Sequence, residues 1–274
     1  MRIKSSASDI RINRETRQTT EKLSQNSAKL ASGSRIVRSS DDAAGLSISE
    51  KLRASTRSKQ QASRNAQDSM GVLEIMEGTL SGMSEMIVRM RELSIQAASD
   101  SVSDTERGML NLEVTGLLQE LKRTAEGTEY LDNKLLKGDN KKLTVQVDKG
   151  NNEHDRISIE LVDLAQTPLA LGISDVKVDS QLRARLSLSK LDYAQGSLSK
   201  SRAKLGAMMS RMESTINNLS TSVVQETNAK SRIKDLDYAQ ATAEQTSAKI
   251  RQSGQVSLAA QMNHQKGDAL KLIS

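Results

Sequence analysis

The chain has 274 residues, three aromatic side chains (all tyrosine), one proline, no cysteine and a net charge of +6. So few aromatics argue against a compact spherical core, which would draw much of its buried area from them, and the lack of cysteine excludes a disulfide scaffold and a cysteine-ligated metal centre. No apolar run approaches the ~20 residues of a membrane-spanning helix, and residues 1–40, with nine Lys and Arg against three acids, carry the whole of the net charge.

Residues 1–31 read as a weak helix, whose large apolar residues beyond the initiator Met are Ile3, Ile10, Ile12, Leu23 and Leu30. A Ser-rich linker follows from Ser32 to Ser40. Ser40 with Asp41 and Asp42 is expected to start the next helix, as a serine N-cap with acids in the first turn. From about 42 to 98 nothing interrupts the helical pattern. Met70, Leu73, Met76, Leu80, Met83, Ile87, Met90, Leu93 and Ala97 recur at gaps of three and four, the spacing of a coiled-coil seam. After the polar break Ser99–Asp104, Leu110, Val114, Leu117 and Leu121 mark a helix over 105–128.

The texture changes at Gly138-Asp139-Asn140. Leu143, Val145 and Val147 alternate with polar residues, as do Ile157, Ile159 and Leu161, and the stretch between them carries turn residues. This predicts a β-hairpin over about 141–162, and Val176 and Val178 are expected to add a short strand. The seam returns from about 181, with Leu205, Met209, Met212, Ile216, Leu219 and Val223. A polar stretch at 228–237 leads into a weakly amphipathic segment, 238–274, that carries Ile250, Leu258, Met262, Leu270 and Ile273.

The pattern is roughly palindromic and predicts a mainly α fold. Its strong seams form a long antiparallel helical coiled-coil rod with a small β-hairpin, and the N- and C-terminal helices pair at one end. The expected division is a terminal coiled-coil domain of 1–32 plus 238–274, linkers at 33–43 and 228–237, and a rod domain of 44–227. Met70, Leu73, Leu80, Met83, Ile87, Met90, Leu205, Met209, Met212, Ile216, Leu219 and Val223 are the expected rod core. The few apolar residues of the ends cannot offset the entropy of ordering so many residues. Those helices are therefore expected to order only against neighbouring chains.

Little here suggests chemistry. Asp41 and Asp42 fit helix-start acids better than an acid/base pair. His154 reads as a solvated loop residue, and His264 has no ligand-spaced partner. No phosphate-loop, nucleophile-elbow or dinucleotide-binding motif occurs. The eleven Met suit gap filling in an aromatic-poor core. No enzyme activity, cofactor or metal is expected. The basic N-terminal segment reads as a solvated or partner-paired helix face. A nucleic-acid or membrane-binding coiled coil is the alternative, but no aromatics interleave with the basic residues to stack on bases, so no nucleic-acid partner is expected.

Several stretches carry a specific resemblance. Lys29-Leu30-Ala31-Ser32-Gly33-Ser34-Arg35-Ile36 followed by Ser40-Asp41-Asp42-Ala43-Ala44-Gly45-Leu46 strongly resembles the N-terminal signature of bacterial flagellins. So do Gln61–Asp68 and Met90–Ala97, and Ser231-Arg232-Ile233-Lys234-Asp235-Leu236-Asp237-Tyr238-Ala239 is similar to the C-terminal signature. The resemblance spans about 1–138 and 182–274. It implies a homo-oligomeric structural subunit of the extracellular flagellar filament. The terminal helices would form an inner tube, through Ile3, Ile10, Ile12, Leu23, Leu30, Ile250, Leu258, Met262, Leu270 and Ile273, and the helical domain an outer tube. Only about 40 residues separate the helical halves, so the resemblance is to a minimal form without outer domains. It further implies export by the flagellar type III apparatus without a cleaved signal, which fits an N-terminus lacking an apolar h-region. A flagellin chaperone, the filament cap and hook-junction proteins are implied partners. Arg89, Leu93 and Glu113 match the pattern by which flagellins engage Toll-like receptor 5. The rival within this resemblance is a hook–filament junction protein.

Overall fold

A computed structural model describes residues 7–137, 142–161 and 166–271. Among these the chain is mainly helical: α1 (Ala7–Ser32), α2 (Ala43–Ala97), α3 (Asp104–Gly127), α4 (Gln181–Lys234) and α5 (Tyr238–Lys271). Four short strands make two antiparallel pairs, β1 (Glu129–Tyr130) with β2 (Asn133–Lys134) and β3 (Lys142–Gln146) with β4 (Arg156–Glu160). The chain forms two compact units, residues 57–223 and residues 1–56 with 224–274.

The unit 57–223 holds the main core. On α2, Leu73, Leu80 and Ile87 recur every seven residues, as do Met76, Met83 and Met90, and all are buried. Ala184, Leu191, Leu198, Leu205, Met212 and Leu219 recur every seven on α4 and are also buried. A seven-residue repeat keeps one narrow stripe facing the partner helix. Val114, Leu121 and Ala125 add a third face from α3. Met70, Met209 and Ile216 are half-buried against the same cluster, and Val223 is half-buried. Polar rungs cross from α2 to α4. Arg202 donates to Glu77 from Nε at 2.9 Å and Nη2 at 2.7 Å, Gln195 to Ser84 at 2.8 Å, and Arg91 to Asp192 at 2.7 Å.

The expected hairpin is present. Its register sets Leu143 opposite Ile159 and Val145 opposite Ile157, and Val145, Val147, Ile157, Ile159 and Leu161 are buried on one face. The turn-rich Gly138–Asn140 and the hairpin edges at 141 and 162 lie outside the described residues.

Three local expectations are corrected, and one hairpin is added. Val176 and Val178 form no strand. They are buried in irregular backbone whose polar groups find partners outside any ladder: the Val176 amide donates to the Ile173 carbonyl at 3.2 Å, the Val178 amide to Asn111 Oδ1 at 2.9 Å, and Ser187 Oγ donates to the Lys177 carbonyl at 2.9 Å. Ser40 does not cap α2. Asp42 does so, its Oδ1 accepting from the Gly45 amide at 2.7 Å, while Asp41 Oδ2 accepts from the amides of Val37 and Arg38. Those amide bonds, Arg38's first, hold the Asp41 carboxyl below its ordinary range. The stretch 228–237 is helical as far as Lys234, and α5 begins at Tyr238. The β1–β2 hairpin was not anticipated. Its two turn residues, Leu131 and Asp132, both have positive φ, a conformation normally signalled by Asn or Gly.

Both ends of the α2–α3 connection are capped. Ser103 and Glu106 form a reciprocal capping box at the start of α3. The guanidinium of Arg107, 8% exposed, reaches back to the end of α2. It donates from Nε to the Ala97 carbonyl at 2.8 Å, from Nη2 to Ser99 at 2.9 Å and from Nη1 to Asp104 at 2.6 Å. Gln181 donates to the Ala98 carbonyl at 3.1 Å. The carbonyls left open at a helix C-terminus are thus met by a cation and an amide.

Candidate assembly site

The second unit pairs α1 with α5. Among the described apolar residues of these two helices, Leu23, Ala241 and Ala248 are buried. Gln245 Nε2 donates to Ser27 Oγ and Gln252 Nε2 to Thr20 Oγ1, both at 3.2 Å. Larger side chains face outward: Ile10 is 61% and Ile250 68% exposed, and Val256 and Leu258 are exposed as well. Ile12, Leu30 and Met262 are half-buried. Ile3, Ile273 and the side chain of Leu270 lie outside the described residues. A helix pair that buries one Leu and two Ala while presenting Ile, Val and Leu to water leaves most of its large apolar side chains uncovered.

The unit 57–223 carries the three residues matched to receptor recognition. Arg89 donates from Nε to Glu113 at 2.9 Å and from Nη1 to Glu92 at 3.2 Å. These bonds, Glu113's first, raise the Arg89 pKa above its ordinary value. Leu93 is 1% exposed and packs in the core cluster. The three do not share an accessible surface, because Leu93 is buried while Arg89 and Glu113 pair at the surface.

Other candidate sites reduce to simple surroundings. His154 is exposed in a single 3-10 turn, Glu153–Asp155. Among the described residues no group of three or more His, Asp or Glu is placed to hold a metal ion, and no helix is long and apolar enough to cross a membrane.

The family model of the bacterial flagellin N-terminal helical region matches residues 3–141, and that of the C-terminal helical region matches residues 188–273. The chain belongs to the bacterial flagellin family. It is 36% identical to a flagellin of Halalkalibacterium halodurans over 247 residues, 89% of each chain. The crystal structure of Bacillus cereus flagellin is similar with a TM-score of 0.51 at 25% identity, covering 57% of this chain and 88% of that one. A putative flagellar hook-associated protein from Vibrio parahaemolyticus reaches a TM-score of 0.58 at 14% identity, over 71% of this chain and 100% of that one. That likeness shows a shared fold alone. This flagellin lacks outer domains, since its relatives match most of its length and its two helical regions are separated only by the hairpin segment. It is a structural subunit of the flagellar filament and is exported outside the cell. The hook-junction alternative is not favoured, because flagellin relatives account for most of the chain.

Outside this site, the role of Arg107 escaped sequence reading: it looks like one more helix-surface cation, and the carbonyls it meets leave no local pattern.

Proposed function

We propose that α1 and α5 are the polymerising element, with 1–32 and 238–274 as the assembly domain and Ile3, Ile10, Ile12, Leu23, Leu30, Ile250, Leu258, Met262, Leu270 and Ile273 as its contacts. The observation that supports this reading is the exposure of the large apolar residues Ile10, Ile250, Val256 and Leu258 on the α1–α5 pair. Neighbouring copies packed around the pair supply the burial one chain cannot. The same contact, repeated with a rotation that does not close, builds an open helical tube. Ordering of the distal ends is coupled to that docking. The basic residues of α1 pair with acids of adjacent copies, so raised salt weakens assembly wherever those pairs stay exposed.

The proposal extends to export through the flagellar type III apparatus without a cleaved signal, a chaperone on the C-terminal segment, and contact with the filament cap and hook-junction proteins, a reading that membership of the family supports. Toll-like receptor 5 contact, in this reading, uses Arg89 and Glu113 without Leu93. Purified monomer is then expected to signal in receptor-bearing reporter cells and Arg89→Ala to weaken that signal. Silence of the unaltered monomer removes the receptor from the list of partners.

Electron microscopy tests the assembly reading. Purified chain brought to polymerising conditions is expected to give smooth filaments, and a variant ending at 237 to give none while keeping the circular dichroism of a folded 57–223 unit. Filaments from the shortened chain would refute it.

A further inference from the structure

We infer that the β1–β2 turn of one copy, Leu131-Asp132, docks on an outer stripe of α4 in a neighbouring copy, formed by Leu182, Arg185, Leu186 and Tyr193. The proposal rests on the chain being a subunit of the flagellar filament. It adds a contact on the 57–223 unit to those read on α1 and α5.

The turn supplies one half of the contact. Leu131 has a φ of 47° and Asp132 of 62°, a left-handed conformation that is strained for a bulky side chain. The strain is not repaid within the chain, because the Leu131 side chain is 78% exposed. The base of the turn is fixed. Glu129 lies opposite Lys134 and Tyr130 opposite Asn133. The Leu135 amide donates to the Thr128 carbonyl at 3.0 Å, and Leu135 and Leu136 are buried. The hairpin therefore holds a leucine and a carboxylate out in solvent on an anchored base.

The other half is on α4, whose first turns are apolar on two sides. Ala184, Leu191 and Leu198 are buried at seven-residue spacing. Leu182, Leu186 and Tyr193 follow at steps of four and seven, the spacing of a second stripe, yet are 69%, 59% and 71% exposed. A helix apolar on two sides is one that is covered on two sides. The neighbouring cations Arg183 and Lys190 are held within the chain by Asp179 and Asp175, each at 2.6 Å. Arg185, which precedes Leu186 on the stripe, is exposed and has no ion-pair partner among the described residues.

The two surfaces match in kind. Each sets large apolar side chains beside one unpaired charge, and the charges are opposite, since the exposed Asp132 also has no ion-pair partner among the described residues. The apolar contact supplies the burial. The ion pair at its edge fixes register and rejects like-charged approaches. Within one chain the turn does not cover the stripe, because both are exposed. A contact between two copies thus leaves one turn and one stripe free, the head-to-tail arrangement that extends into an open polymer. The occupant is a second copy because a filament presents both surfaces in equal number.

Crosslinking in assembled filaments tests the contact. The chain has no cysteine, so introduced thiols report on their own positions alone. Filaments of a chain carrying both Leu131→Cys and Leu186→Cys, treated with a short bis-maleimide, are expected to give a ladder of linked chains on a denaturing gel. Filaments mixed from the two single variants should give dimers and nothing longer, and each single variant alone should stay unlinked. A charge exchange reads the same contact without thiols, and decides alone if the thiol chains do not polymerise. Asp132→Arg and Arg185→Asp should each raise the concentration needed for assembly about tenfold, and the two together should restore it. Filaments without the ladder, dimers from one single variant alone, or charge variants that assemble normally or are not restored in combination overturn the proposal. Filaments from the chain ending at 237 are a separate result, which refutes the α1–α5 reading and leaves these outcomes as they stand.

Discussion

Ile12→Asp stops polymerisation and leaves the unit 57–223 folded. Ile12 sits half-buried on α1, in a helix whose own packing draws on little besides Leu23. A carboxylate at this position is solvated in the free chain, so the monomer loses little. With α1 as the proposed assembly contact, neighbouring copies in the filament enclose the same carboxylate, and the apolar burial it replaces is lost. Removing that burial and desolvating a charge together cost about 3 kcal/mol or more per subunit. This raises the concentration needed for assembly by at least about 100-fold. Sedimentation of polymer against total protein measures it, and unchanged thermal unfolding of the monomer shows that the effect lies in assembly. Filaments forming at the unaltered chain's concentration would count against α1 as an interface.

Arg107→Ala destabilises the unit 57–223 by about 2–4 kcal/mol, a large share of a domain's stability. Its guanidinium is buried, and two of its three bonds go to carbonyls at the end of α2. Truncation leaves the Ala97 and Ser99 carbonyls without that donor, and hydrogen bonds made by a charged group contribute about 1.5–3 kcal/mol each. Asp104 adds little, because its side chain is exposed. Lysine is a poor substitute. A single ammonium cannot span three acceptors held in a planar fork, so Arg107→Lys should recover only part of the loss. Urea unfolding followed by circular dichroism reads both variants through their midpoints. A midpoint for Arg107→Ala within error of the unaltered chain would mean that water caps α2 as well as the guanidinium does.

These two residues mark the boundary of what could be read in advance. Ile12 is legible because a lone large apolar residue in a sparse helix stands out by type and period. Arg107 is not, because nothing in Ser103-Asp104-Thr105-Glu106-Arg107 tells a capping arginine from a solvated one. The same division runs through the fold. The stripes of α2 and α4 and the alternation of β3 and β4 are periodic in sequence, so their existence and facing follow from spacing alone. The β1–β2 turn at Leu131-Asp132 carries no glycine to announce it, and the start of α2 depended on which of three adjacent polar residues turned its oxygen inward.

Composition and periodicity sufficed for a helical, aromatic-poor rod with thin seams of Leu, Ile and Met, weak ends, a basic N-terminal segment and one hairpin, and the resemblance of the signatures at both termini implied a filament subunit. Tertiary structure alone decided that Leu93 is buried rather than presented, that Val176 and Val178 need no strand, and that the two signatures meet, Arg35 donating to the Ile233 carbonyl and Tyr238 to that of Leu30. The reason is physical. Hydrophobic burial repeats with the period of the helix and so leaves a trace in spacing. A side chain that caps a distant carbonyl is an isolated bond, placed by the meeting of two segments remote in the chain.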